Sequence, residues 1–384
     1  MAQLTPSPNR VPSRNGVGIV FALVFAVLSL LAVYAIRIAS IQSGVSDKME
    51  LITTINAFIE YPMPLRTTYT GFAPLDKGLS FLVAAFMNGA SGWDMGFFVF
   101  LIYFLISFFA IVVTWAVESC RERNRGALTR FTYIYALFYQ TVGGAIIIPI
   151  YYLAYLYDTS NNSYWTKPRR LPLNYAKAIL PAVIIGYLIP TILIFLPYTA
   201  PNMWTTQAMV ALWQPCPWFV DALISVFSKL ASSTPQKPQK GQSTDLSYLS
   251  RLHGIYGISL IVTTLAHYLL LLIIFFSPNP QHRFQHMFLH PTTHSATIQM
   301  SMVQGMHAIF QADFWIIFGA SLVWAFLAVY DLKRLGLADV SLWTAAAWIV
   351  VGTVVNGPGS VVTAVWWWRE DKLAEAEEGK GKEI

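Results

Sequence analysis

The sequence predicts an all-α protein, a polytopic transmembrane helical bundle of seven or eight spans with re-entrant or interfacial segments between them. Three observations carry this. Of 384 residues, 55% are hydrophobic and only 11% charged, against about 25% charged in a soluble domain, and the mean hydropathy is +0.52. Apolar runs of about 20 residues recur along the chain, the length that crosses roughly 30 Å of hydrocarbon. The Lys and Arg residues sit in short clusters between those runs. The formal charge of +6 therefore describes membrane topology rather than a basic face for nucleic acid, and no nucleic-acid partner is expected. The two cysteines, Cys120 and Cys216, fall in no CxxC or Cys/His cluster, which excludes a disulfide framework and a cysteine zinc site.

The first span runs from Gly16 to Ile36, behind a polar tail over 1–15. It is longer than a signal-peptide core and reads as a retained span. Gly96 to Val117, Phe131 to Tyr157 and Tyr175 to Leu196 follow. The fifth run, Gln207 to Leu230, is interrupted by Pro215-Cys216-Pro217 and contains Asp221, the pattern of two half-helices or of a re-entrant segment. Ile255 to Phe276, Val303 to Val329 and Trp343 to Trp368 complete a single bundle over 16–368. Between the first two spans, Leu51 to Ile59 and Leu79 to Met87 are too short to cross and read as interfacial or re-entrant. Residues 231–244, rich in Ser, Pro, Gln and Lys, form a flexible linker, and 369–384 a charged tail, disordered from Leu373. Arg121, Arg123, Arg125 and Arg130 precede the third run; Lys167, Arg169 and Arg170 follow it. The positive-inside rule assigns both flanks to one side, which a single crossing forbids.

Polar groups at mid-span depth carry the functional signal, because an ionised carboxylate there costs at least about 2.5 to 3.5 kcal/mol. In VQGMHAIFQADFWIIF, Gln304, His307 and Gln311 share one helical stripe, while Asp313 points to the opposite side along with Trp324. Asp313 lies about ten residues, or roughly 15 Å, inside the span. A helix polar on both faces belongs in the middle of a bundle, beside a cavity. A carboxyl among apolar neighbours favours its neutral form, so Asp313 is the candidate acid for protonating an epoxide or alkene, or a relay in a proton-coupled transporter. The plain alternative is a hydrogen bond to a neighbouring helix.

Glu118, with Arg121 at i+3, is either an interfacial ion pair or an acid at a cavity mouth. Glu60 and Asp76, beside the short apolar stretches, are helix caps or entrance acids. Gln140 and His267, deep in the third and sixth spans, are candidate substrate contacts or interhelical bonds. Asn356-Gly357-Pro358-Gly359 breaks the last span and frees carbonyls that can face a cation. Trp315 and Trp324 offer ring faces worth roughly 0.5 to 2 kcal/mol each to a positive charge. His282, His286, His290 and His294 recur at i,i+4, but Pro291 interrupts the helix and no carboxylate lies close in sequence; no metal is expected. GxGxxG, Walker, GxSxG and HExxH patterns are absent from the sequence, and no cofactor is expected.

The strings APLDKGLSFLVAAF, WAVESCRERNRG, YQTVGGAIIIPIYYL, the span bearing His267, FQADFW with a later WAF, and GPGSVVTAVWWWRED occur in this order. Together, from about Asp76 to Asp371, they resemble the fungal integral-membrane terpene cyclases of the ascofuranone-pathway and paxilline-cluster type. The resemblance implies a multi-pass endoplasmic-reticulum enzyme that cyclises a prenyl chain, terminally epoxidised, on an aromatic, polyketide or indole core, without metal or diphosphate departure. It marks Asp76, Glu118, Arg121, Asn124, Gln140, His267, Gln311, Asp313 and Trp324 as motif positions. A prenylated lipophilic substrate, the lipid bilayer, a pathway prenyltransferase and an epoxidase are the implied partners. The alternative reading is a transporter or non-catalytic membrane partner for a lipophilic metabolite.

Overall fold

The structure, a computed structural model, describes residues 13–232, 248–289 and 300–381. In chain order the principal helices are α1 (Asn15–Gln42), α2 (Val45–Ile55), α3 (Ala73–Ala90), α4 (Met95–Ser119), α5 (Thr132–Thr141), α6 (Gly144–Asp158), α7 (Leu173–Ile194), α8 (Trp204–Trp213), α9 (Cys216–Ser232), α10 (Leu249–Phe276), α11 (Phe284–Phe288), α12 (Met302–Arg334), α13 (Leu342–Asn356) and α14 (Pro358–Gly381). Among the described residues there is no strand, only an isolated bridge between Ala57 and Pro64. Most of the linker over 231–244 lies outside the described residues, as do His290 and His294.

Among the described residues, five helices are long and apolar enough to cross a membrane: α1, α4, α7, α10 and α12. A sixth apolar segment is bent, as a broken span or a re-entrant loop. α8 and α9 meet at 57° across the Pro215 break, because Pro215 and Pro217 lack the N–H groups that would continue the ladder. α4 is the axis of the bundle; nearly every residue from Phe97 to Glu118 is buried, against α7, α10 and α14.

Two apolar runs that read as single spans are helical hairpins. The run from Phe131 to Tyr157 divides at Gly143, whose φ of +125° only glycine adopts without strain. The Asp158 carboxylate at the end of α6 accepts the N–H groups of Leu128 and Thr129 at 3.1 and 2.9 Å, just ahead of α5. The hairpin thus enters and leaves by the same face. The last run behaves alike: it divides at Gly357 (φ +88°), and Gly352 packs on Val361 across the turn. The seven or eight apolar runs thus correspond, among the described residues, to five single helices, one bent pair and two helical hairpins.

The hairpins resolve the conflict between the cationic loops. Glu122 N–H donates to Arg170 O at 3.0 Å, so both loops lie on one face. Arg14 reaches Asp331 at the end of α12 and Thr159 beyond α6 on that same face. Hydropathy is blind to direction, and a hairpin of two half-length helices has the same apolar length as one crossing. By the positive-inside rule this cationic face is expected on the cytoplasmic side. The expected result is that Asn161, whose N-x-S sequon follows α6, carries no N-glycan. An endoglycosidase-sensitive mass shift at Asn161 would reverse the orientation.

The short apolar stretches before α4 lie at the opposite face. α3 begins beside α2, across a polar cavity shared by Glu50, Thr53 and Asp76, and ends with Gly89 against Phe97 and Leu101 at the start of α4. The charged C-terminal segment is helical through Gly381, with Arg369, Glu370, Leu373 and Ala374 buried. It is therefore structured, because its charges have partners elsewhere in the bundle.

Candidate functional site

Broken helices leave backbone donors and acceptors without partners in a medium that supplies none, and most of the intramembrane polar side chains are used there. Asp313 Oδ1 accepts Ala145 N–H at 2.6 Å at the start of α6. A carboxylate is favoured at a helix N-terminus, where orphan N–H groups and the dipole both point at it. His267 spans the other hairpin: its Nε2 meets Val354 O at 3.0 Å and its Nδ1 meets the Tyr103 hydroxyl at 2.9 Å. Gln140 Nε2 donates to Gln214 O at 2.9 Å, at the break between α8 and α9. Arg37 closes the end of α5 by donating to Val142 O at 2.6 Å.

The stripe on α12 holds α11. His307 Nε2 donates to Met287 O at 3.1 Å, Gln311 Nε2 to His286 O and Met287 O at 3.1 and 3.0 Å, and Trp315 Nε1 to Phe288 O at 2.7 Å. Trp324 is fully buried, its ring centroid 3.7 Å from that of Trp366 and 4.6 Å from that of Tyr152. Glu60 accepts Met302 N–H at 2.6 Å and caps α12. Asp76 accepts the backbone N–H groups of Tyr69, Thr70 and Gly71 and the Thr70 hydroxyl. Desolvation opposes its charge, but these donors outweigh it and hold the carboxyl below its ordinary value. Asn356 Oδ1 accepts the Tyr268 hydroxyl at 2.9 Å and lines a cavity beside α13 and α14.

Glu118 is enclosed by cations. Arg121 Nε donates to its Oε1 at 2.8 Å, Arg369 and Trp366 lie 3.3 Å from the same oxygen, and Asn124 Nδ2 donates to its backbone carbonyl at 2.7 Å. Glu370 extends the network to Arg121 and Arg169.

An apolar cavity lies elsewhere, between α3, α5, α8 and the α8–α9 break. It has a volume of about 530 Å³, within the range of small-molecule pockets. It is lined by apolar residues such as Leu79, Leu82, Leu137 and Met209, with Arg66, Tyr69, Thr70, Gln140, Gln214 and Trp218 among them. Ala136 and Pro217 are shared with a narrow recess containing Trp115, Tyr139, Thr132 and Asp221. Asp221 sits one turn beyond Pro217, and the Thr132 hydroxyl donates to its two oxygens at 3.0 and 3.2 Å. That hydroxyl is its hydrogen-bond partner among the described residues, and no cation pairs with it there.

Of the positions singled out in the sequence, Gln140 borders this cavity, Asp76 and Asn356 line two others, and Asp313, Glu118, His267, His307, Gln311, Trp315 and Trp324 line none of these. Asp221, Thr132, Tyr139 and Trp218 were not among the expected site residues. The available signal was a carboxylate one turn past a Pro-Cys-Pro break inside an apolar run, where an unpaired acid is expensive.

The CtvD domain family model matches residues 21–374. The chain is 28% identical over 318 residues to the terpene cyclase resF of Aspergillus sclerotiorum, covering 79% of this chain and 84% of that protein. It is 26% identical over 204 residues to the terpene cyclase ascI of Acremonium egyptiacum, 52% of this chain and 51% of that one. It is also 26% identical over 277 residues to the FAD-dependent monooxygenase verC1 of Penicillium polonicum, 69% of this chain but 31% of that protein. The chain thus spans about a third of one relative, half of another and most of the third. No solved structure matches it. The family match over nearly the whole bundle and the cyclase names of the relatives agree with the motif order along the sequence, and the chain belongs to the CtvD-domain family of fungal membrane terpene cyclases.

Proposed function

We propose that this membrane protein cyclises a terminally epoxidised prenyl chain, carried on an aromatic, polyketide or indole core, in the endoplasmic-reticulum membrane. The observation that carries the reading is an apolar chamber that shares Ala136 and Pro217 with a small recess of about 20 Å³ lined in part by Asp221, a carboxyl within an apolar helix and without a cationic partner among the described residues. Asp313, His267 and Gln140 already serve helix breaks, Glu118 an ion network, and His307 and Gln311 the docking of α11; Asp221 serves none of these. Its O–H donates to the epoxide oxygen, the C–O bond opens, and the tertiary cation is captured by the π electrons of an internal alkene. The final cation loses a proton or is captured by a hydroxyl that then releases one, and that proton restores the acid. Atoms balance without any further reactant, and the product is an isomer of the substrate.

The rings of Tyr69 and Trp218 along the chamber and of Trp115 and Tyr139 in the recess offer π faces to the migrating charge. Similarity to a segment of a protein named for FAD-dependent monooxygenation supports an oxidised prenyl group as substrate, made by an epoxidase acting on the product of a prenyltransferase. Microsomes containing the protein, given an epoxidised prenyl-aromatic compound, are expected to yield a cyclic isomer of unchanged mass. Recovery of intact epoxide from well-expressed protein, or its accumulation inside sealed vesicles, would overturn the reading in favour of transport.

A further inference from the structure

At the face opposite the arginine clusters, three segments far apart in sequence bring one carboxylate and two imidazoles together. Asp94, just before α4, has its Oδ2 2.8 Å from Nε2 of His286 on α11, and His307 of α12 completes the group, with a ligand atom of each residue within 4.8 Å of the others. We propose that Asp94, His286 and His307 bind a divalent cation of the zinc class, with water in the fourth position. Two imidazoles and one carboxylate are a common zinc donor set, with bonds near 2.0 to 2.2 Å. Closing the present separations to a tetrahedral edge requires a shift of about an ångström, which follows from those bond lengths.

The surroundings hold the ligands as metal sites do, through a second set of contacts. Phe97 N–H donates to Asp94 Oδ1 at 2.8 Å and fixes the carboxylate. The Phe97 ring stacks on His307, with centroids 4.5 Å apart and planes 9° apart, and the Gln311 amide lies 3.3 Å from His307 Nε2. Gln311 is 2% exposed, and its amide oxygen has no hydrogen-bond partner among the described residues. Room for the His286 ring exists because residue 96 is glycine: a Cβ there would lie 2.4 Å from His286 Cδ2. His286 is partly exposed, at 38% of its side chain, so an ion has a path in from solution. Bound there, the ion clamps α11 to the ends of α4 and α12, outside the apolar chamber.

The test uses the full chain in detergent, free of any polyhistidine tag, stripped with chelator and titrated with Zn²⁺ alone. One equivalent is expected to bind and to raise the unfolding temperature, with binding at least tenfold weaker in His286→Gln and in His307→Gln; Co²⁺ is expected to give the visible bands of a tetrahedral site. Should His307→Gln fail to fold, the partly exposed His286→Gln still decides. Zinc uptake by the wild type that is absent, or unchanged in His286→Gln, overturns the site. Turnover is not the readout, so this result stands or falls apart from the cyclase reading.

Discussion

Asp221→Asn is expected to abolish cyclisation, lowering turnover of an epoxidised prenyl substrate by roughly 10²- to 10⁴-fold, the range for removing a positioned general acid. Asparagine keeps the shape of the side chain and still accepts the Thr132 hydroxyl, so the membrane-inserted fold should survive, as retention of a monodisperse elution profile would show. The contrast lies with Asp313→Asn. There the amide oxygen can still accept Ala145 N–H, and activity should stay within a few-fold of wild type. Asp313→Leu leaves that N–H at the start of α6 unpaired and should cost about 1 to 3 kcal/mol of stability. Wild-type turnover by Asp221→Asn, or loss of chemistry in a well-folded Asp313→Asn, would return the proton donor to α12.

The contrast between these two acids shows what was legible in the chain. Composition and apolar run length are local properties, and they gave an all-helical membrane bundle because lipid admits few alternatives. Asp313 was conspicuous for the same local reason, a carboxyl far inside an apolar run. Its partner, however, is Ala145, which sequence spacing alone does not connect to it; the need for a helix cap appears only when the run around Gly143 is seen to turn back. Cations on both flanks of that run and Gly143-Gly144 inside it were the sequence signals of the turn. Asp221 was less conspicuous because the Pro-Cys-Pro break beside it pointed to two half-helices or a re-entrant segment, and its recess is lined by Thr132 and Tyr139 on a different helix. His286 showed the same limit: its neighbours in sequence include no carboxylate, while Asp94, 192 residues away, is in contact with it. Charge composition likewise made the C-terminal segment look like a tail, although Arg369 is buried against a residue 251 positions earlier.

That last pairing leads to the largest expected change in stability. Glu118→Ala should cost about 3 to 5 kcal/mol, the range for removing one partner of a buried ion pair. The loss arises from what remains: Arg121 and Arg369 are each 1% exposed and would keep their charges in a space that water does not reach. Glu370 already lies against all three arginines, Arg121, Arg169 at 2.9 Å and Arg369 at 3.3 Å, so a single carboxylate would be left facing three guanidinium charges. Because Glu118 ends α4 and Arg369 lies on α14, the damage should loosen the final hairpin from the bundle axis rather than reshape the chamber, which is bordered by α3, α5, α8 and the α8–α9 break. Thermal unfolding in detergent should show a much lower midpoint and a smaller yield of folded protein, while turnover per folded molecule at low temperature stays close to wild type. Glu118→Asp, which keeps the charge on a shorter arm, should fall between the two. A stable Glu118→Ala protein that has lost only its chemistry would instead make Glu118 the reacting acid and the surrounding arginines its means of control.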